Sequence, residues 1–258
     1  MLSVVLPVIL ALPAVLAHGQ VRSFTSSSGT WTSADAYTTA NASSPIRKLN
    51  TYGPAAGFTG INITCGEGGN TPVSVLATVK AGELVTFDWG SWSSSHSGPV
   101  MTYIAKCTNG CANFKGDSGN IWVKIDQDGY HNSTTRAAYP WGENLLHLTP
   151  SAYKVTIPAG LANGEYLLRH EILGLHVAST VMGAQFYPNC VQIQVTNGGS
   201  VSLPTGIALP GAYDPNDTLG ILVELWKVQQ GLASYTPPGG AVLLKGGSGS
   251  WGTDTYGA

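Results

Sequence analysis

The chain has 258 residues, room for one large all-β domain or two small ones. Only 10% of the residues are charged, the net charge is −2, and the longest basic run is the pair Arg47-Lys48, so the basic patch of a nucleic-acid binder is missing. No Walker phosphate loop or dinucleotide fingerprint occurs. With so few charges, the polar surface has to come from Ser, Thr, Asn and Gln.

From the N-terminus, residues 2–17 read LSVVLPVILALPAVLA and carry no charge. This run falls short of the roughly 20 apolar residues of a bilayer span. It fits a secretory signal, residues 1–17, ending at the small-residue site Val15-Leu16-Ala17. The mature protein is then expected to be secreted, free of the membrane, and to begin His18-Gly19-Gln20. A terminal histidine offers two nitrogen donors, its α-amine and its ring Nδ1, which together close a six-membered chelate. The amine has a reference pKa of about 7.7–8.0 and releases its proton to bind. One further imidazole completes a planar three-nitrogen set, a tetragonal arrangement that favours Cu(II) over Zn(II). N-x-S/T sequons begin at Asn41, Asn62, Asn132 and Asn216, which suits a secreted chain. The four cysteines, Cys65, Cys107, Cys111 and Cys190, suggest two disulfides, with three pairings open.

Strand signals dominate the rest. Residues 83–89, ELVTFDW, put Val85, Phe87 and Trp89 on one face. In WSSSHSGPVMTYIAKC, residues 92–107, His96 lies in a Ser-rich loop just ahead of an apolar strand. Ile121, Val123 and Ile125 alternate with Trp122 and Lys124; Tyr153, Val155 and Ile157 alternate before Pro158. In residues 164–173, GEYLLRHEIL, His170 shares a face with Tyr166, Leu168 and Ile172, with Arg169 and Glu171 opposite. Gln185 and Tyr187 share a face, with Phe186 opposite, and 190–196 read CVQIQVT. If these strands pair, His170, Gln185 and Tyr187 converge. Short period-two runs between Gly, Pro, Asn and Ser turns predict an all-β sandwich over residues 18–235. Residues 218–229 read as either strand or helix, and 236–258 form a Gly/Ser-rich tail with linker-like composition.

Several spaced motifs now combine. They are His18-Gly19, His96-Ser97-Gly98-Pro99-Val100 leading to Tyr103 and Cys107, Arg169-His170-Glu171 with Leu175-His176, and Gly183-Ala184-Gln185-Phe186-Tyr187-Pro188 before Cys190. Pro210-Gly211-Ala212-Tyr213 and Gly220-Ile221-Leu222-Val223 follow in order. In this combination the chain resembles the fungal lytic polysaccharide monooxygenases of auxiliary activity family nine, once classed among glycoside hydrolases. The resemblance implies an immunoglobulin-like sandwich whose long loops make a flat active face, and one copper ion. His18 and His96 would form a histidine brace, with the Tyr187 phenol near the axial position. His170 and Gln185 would be donors to bound oxygen species, and Tyr213 would lie on the substrate-facing surface. The implied disulfides are Cys65–Cys190 and Cys107–Cys111. The ending near Lys227-Val228-Gln229-Gln230 departs from the family pattern, and the tail carries no recognisable carbohydrate-binding module.

Hydrolytic cleavage of a glycosidic bond needs two flanking carboxylates. None of the 14 Asp and Glu residues is singled out by its neighbours, and a non-catalytic carbohydrate-binding sandwich would leave the histidines unexplained. The expected activity is oxidative cleavage of β-1,4-glucan, cellulose or hemicellulose, at C1 or C4. It would use O2 or H2O2 and an external electron donor, a small reductant or a redox enzyme, with the protein acting as a monomer.

Overall fold

The computed structural model describes residues 18–132, 137–148 and 150–244. The expected signal peptide lies outside them. Four strands, β1 (Ser23–Ser26), β2 (Gly29–Thr32), β4 (Leu84–Asp88) and β7 (Ala152–Thr156), form an antiparallel sheet in the order β2-β1-β4-β7. Five more, β3 (Ala77–Lys80), β5 (Val100–Lys106), β6 (Val123–Asp128), β8 (Gly164–Gly174) and β9 (Gln185–Thr196), form a second sheet in the order β3-β9-β8-β5-β6. Only the β3–β9 pair is parallel. The result is the β-sandwich expected from the sequence. Residues 218–229 resolve into a single helical turn, α1 (Leu225–Gln229).

The alternation seen in the sequence explains the packing. Phe24, Val85, Phe87, Tyr153 and Val155 of the four-stranded sheet meet Val100, Ile104, Tyr166, Leu168, Ile172, Val191 and Ile193 of the other, and all are buried. Each such side chain is worth about 1.5–3 kcal/mol when fully buried, so this layer holds the sheets together. The five-stranded sheet is also covered on its outer face. There Met101, Tyr103, Leu167, Leu173 and Phe186 pack under loop residues that include Phe58, Ile63, Trp141, Leu209, Tyr213 and Ile221. Sequence alternation alone reads as a half-exposed strand. Here Trp122 and Lys124, the partners of the Val123/Ile125 face, are 1% exposed as well, because the loops supply a second layer.

Chain beyond Tyr235, the domain end expected from the sequence, packs against the same sheet. Lys124 Nζ donates to the carbonyls of Pro238 (2.7 Å) and Gly240 (2.6 Å), and Leu243 N donates to Lys124 O (3.0 Å). Burial lowers the Lys124 ammonium to about 7, and a buried cation is tolerated only when hydrogen-bonded. The chain therefore stays anchored through 244; residues 245–258 lie outside the described residues. Two disulfides tie loops to the same sheet. Cys65–Cys190 fastens the loop over the outer face to β9, and Cys107–Cys111 closes the turn after β5.

Candidate metal centre

One end of the β8–β9 ladder gathers the histidines. Register pairs Ile172 with Tyr187 and Gly174 with Gln185, so Tyr187 and Gln185 lie where the strands end. Beyond Gly174 the chain turns, with Ala178 N donating to Leu175 O (3.1 Å), and this turn carries His176 to the rim. The loop before β5 runs alongside, with Leu175 N donating to Ser97 O (2.9 Å) and Leu173 N to Pro99 O (3.1 Å). Its Gly98 is required by close approach, since a Cβ there would stand 1.8 Å from the Leu173 carbonyl oxygen. The N-terminal segment is laid across the same end by Val21 N donating to Asn189 Oδ1 (3.0 Å).

Here the His18 and His96 rings meet edge to face with centroids 5.3 Å apart, and His18 stacks on Tyr187 at 5.8 Å. Trp92 meets Tyr187 edge to face at 4.9 Å, and the His176 ring lies 3.9 Å from that of His96. His18 is exposed and His176 partly so, whereas His96 (5%) and Tyr187 (2%) are buried. The Tyr187 hydroxyl donates to Gln185 Oε1 (2.6 Å).

The electrostatics favour neutral imidazoles. Burial first, then the charges of His176 and His18, lower His96 to about 4. Burial and His18 lower His176 as well. Burial pushes the Tyr187 phenol up, so it stays protonated at neutral pH. His96 Nδ1 is hydrogen-bonded to Ser95 Oγ (2.9 Å), while its Nε2 is buried with no partner. In the tautomer that donates from Nδ1, Nε2 offers a lone pair to nothing in the protein. A metal ion would satisfy it. Among the described residues no three His, Cys, Asp or Glu side chains converge as a metal set. A further donor would come from elsewhere, and the amine that the expected cleavage before His18 would free is one. The residues thus fit a two-imidazole, one-amine ligand set.

Two expected site residues lie elsewhere. His170 is 0% exposed in the inter-sheet core, stacked on Phe87 at 4.2 Å, with Nδ1 hydrogen-bonded to Thr102 Oγ1 (2.9 Å). The alternation of β8 is as read. Register, however, pairs His170 with Asn189, two residues or about 7 Å deeper along the strand than the Ile172–Tyr187 pair. The inward face at that depth is core, and the rim position belongs to His176. Tyr213, expected on the surface, is 4% exposed. Its hydroxyl donates to Glu171 Oε1 (2.6 Å) and lies 3.1 Å from Tyr103 Oη, and its ring stacks on Phe186 at 4.7 Å. Arg169 Nη2 is paired with the Glu171 carboxylate in the same buried layer, and Tyr213 completes that carboxylate's hydrogen bonding. Beside His176 the exposed aromatic is Trp226 on α1, 52% exposed, in a groove it shares with His176, Ser179, Glu224 and Gln229. Sequence reading passed over it because 218–229 had no clear period. Of the sequons, Asn132 and Asn216 are exposed, and the Asn41 amide donates to Thr32 O (3.0 Å).

Comparison with known proteins identifies the family. Residues 18–235 match Auxiliary Activity family 9, formerly GH61. The chain is 39% identical over 242 residues to an AA9 family lytic polysaccharide monooxygenase F of Botryotinia fuckeliana, covering 89% of this chain and 93% of that one. It is 41% identical over 198 residues to an AA9 family lytic polysaccharide monooxygenase A of Geotrichum candidum, covering 77% of this chain and 64% of the relative. It spans only 35% and 51% of two further relatives from that fungus. Among solved structures, a cellulose-active polysaccharide monooxygenase from M. thermophila superposes with a TM-score of 0.75 at 26% identity, covering 88% of this chain and 99% of that one.

Proposed function

The chain belongs to auxiliary activity family 9, and from that premise we propose that it is a secreted, monomeric, copper-dependent monooxygenase that cleaves β-1,4-glucan chains oxidatively, cellulose foremost. The observation that carries the reading is the buried, unpartnered Nε2 of His96, whose ring meets that of His18 edge to face. His18, through its freed amine and ring, and His96, through Nε2, would hold copper, with the Tyr187 phenol beside both rings. When bound and reduced by an external donor, copper supplies the one-electron chemistry that lets O2 or H2O2 take a hydrogen from C1 or C4 of a sugar.

The chain's own residues do the rest. Burial keeps His96 neutral down to about pH 4, ready to donate its lone pair. Ser95 holds the ring by Nδ1. Gln185, through its amide, and His176, whose Nδ1 is buried without a partner, are the groups able to hydrogen-bond a small oxygen species beside the metal. His176 takes the role expected of His170. Trp226 offers a flat apolar face to a sugar ring, with Glu224 and Gln229 beside it for hydroxyls. That the M. thermophila relative is described as cellulose-active supports cellulose as the substrate.

Mass spectrometry of products from cellulose, with and without ascorbate, tests the reading. Oxidised oligosaccharides are expected only with reductant and copper. Unoxidised oligosaccharides formed equally well without either would overturn it.

A further inference from the structure

The chain leaving β4 reads Trp89-Gly90-Ser91-Trp92. Both indoles are buried and meet edge to face with centroids 5.3 Å apart. Trp89 faces the inter-sheet core, with the His170 ring 5.9 Å away. Trp92 stands on that base and reaches the metal centre. Its ring meets the Tyr187 ring at 4.9 Å and the His96 ring at 5.9 Å, at interplanar angles of 87° and 79°. Both are edge-to-face contacts, an arrangement that aromatic quadrupoles favour.

The third contact is with the N-terminal segment. Gly19 is buried, and a Cβ built on it would stand 3.7 Å from Trp92 Cε3, 3.8 Å from Trp89 Cε3 and 3.5 Å from the Ser91 carbonyl oxygen. The Gly19 main chain therefore rests on the two indoles. Among the described residues, the hydrogen bonds of this segment begin at Gln20, whose Nε2 donates to Ala34 O (2.6 Å), and continue at Val21. His18 and Gly19 take their place from packing instead: His18 from the rings of His96 and Tyr187, Gly19 from the indoles. On its other side Trp92 leads directly into the turn that His96 N closes by donating to Ser93 O (3.1 Å). One side chain thus touches the residue on which the His18 donors are mounted, the second imidazole and the phenol beside both. Interiors packed at crystal density pass on small displacements, and a site keeps its geometry to a fraction of an ångström only when the side chains supporting it are themselves locked by packing.

We propose that Trp92 is a positioning residue whose indole seats Gly19, His96 and Tyr187 against one another and so sets the distance and angle between the nitrogen donors of His18 and His96. This rests on the reading of those donors as a copper site. The indole N–H has no lone pair to give a metal, so Trp92 acts only through the three residues it touches.

The test uses the mature protein and two variants, Trp92→Leu and Trp92→Phe. In the metal-free state, nuclear Overhauser contacts are expected between the His18 ring and the rings of His96 and Tyr187, which lie 5.3 Å and 5.8 Å away. Trp92→Leu should lose both contacts. Its copper affinity by calorimetry should fall roughly 10-fold, the lower end of the range for losing an outer-shell partner, and the electron paramagnetic resonance of its Cu(II) should shift. Trp92→Phe keeps a ring against Tyr187 but lacks the indole benzo ring that meets Gly19. It should keep the contact between His96 and Tyr187, weaken those of His18, and lose less affinity than Trp92→Leu. A core variant, Val155→Ala, should lower the thermal midpoint while leaving contacts and affinity alone, which separates positioning from general destabilisation. If Trp92→Leu does not fold, Trp92→Phe carries the test. A folded variant with wild-type His18 contacts, or with wild-type copper affinity, would overturn the positioning role. Failure of the wild-type protein to take up copper would instead overturn the functional reading, and the placement of its ligands with it.

Discussion

Two histidines six residues apart, His170 and His176, meet opposite fates. His170 is closed into the core against Phe87, and burial lowers it to about 3. His176 lies against His96 at the rim. The sign for His170 follows directly. The unfolded chain takes up a proton near pH 6.5 that the folded core refuses, so its contribution to stability is complete above about pH 6.5 and is lost as the pH falls toward 3. His170→Gln should flatten that acid limb, read as the difference in urea midpoint between pH 7 and pH 4; an undiminished slope would exclude His170 as its source. The same pair separates structure from chemistry. His176→Ala should leave copper affinity nearly intact and lower oxidative turnover about 10- to 100-fold. His170→Gln should cost stability while keeping turnover per copper-loaded, folded molecule. The reverse pattern would restore His170 to the site.

The elements that build the site are strand ends and the loops between them, and their anchorage is uneven. Cys65–Cys190 closes a span of 125 residues and Cys107–Cys111 one of 4. Chain entropy then assigns about 5 kcal/mol to the first and about 2 kcal/mol to the second. Replacing both cysteines of a pair by serine should lower the guanidinium midpoint far more for the long bridge, and equal losses would contradict this ranking. A second anchor is the segment after Tyr235. Ending the chain there removes two carbonyl acceptors from Lys124, each worth roughly 1.5–3 kcal/mol when the donor is charged. A clear drop in thermal midpoint is expected, and an unchanged one would mean that the strap contributes nothing. The runs at 83–89, 153–157, 164–173 and 190–196 were legible as strands because large apolar residues alternate there. β1 and β2 were not, since SFTS and GTWT carry Ser and Thr and become strands only by pairing with one another and with β4.

At the scale of the molecule, the proposed function depends on an N-terminus processed before His18 and brought to a surface that also presents Trp226. A protein secreted with one residue left ahead of His18 has an amide in place of the amine and should lose tight copper binding, as calorimetry of the two forms would reveal. Affinity equal to that of the His18 form would remove the amine from the ligand set. Trp226→Ala should weaken retention on cellulose several-fold in a pull-down without moving copper affinity, and undiminished retention would take the substrate contact away from α1.

The sequence by itself determined the sandwich, because side-chain period is a local property of the chain; it also supplied, from an apolar leader and the histidine that follows it, the expectation of a secretory start and of nitrogen donors at His18 and His96. It also brought Gln185 and Tyr187 to one face, since two-residue spacing on a strand suffices for that. Only the tertiary structure decided depth. Whether an inward-facing histidine meets core or rim depends on the register of β8 against β9, and one step of two residues separates His170 from the site. Likewise only the covering loops turned Arg169, Glu171, Lys124 and Tyr213 into a buried polar layer. The main-chain hydrogen bond from Glu143 N to Gly98 O joins segments far apart in the chain, and no local pattern announces it.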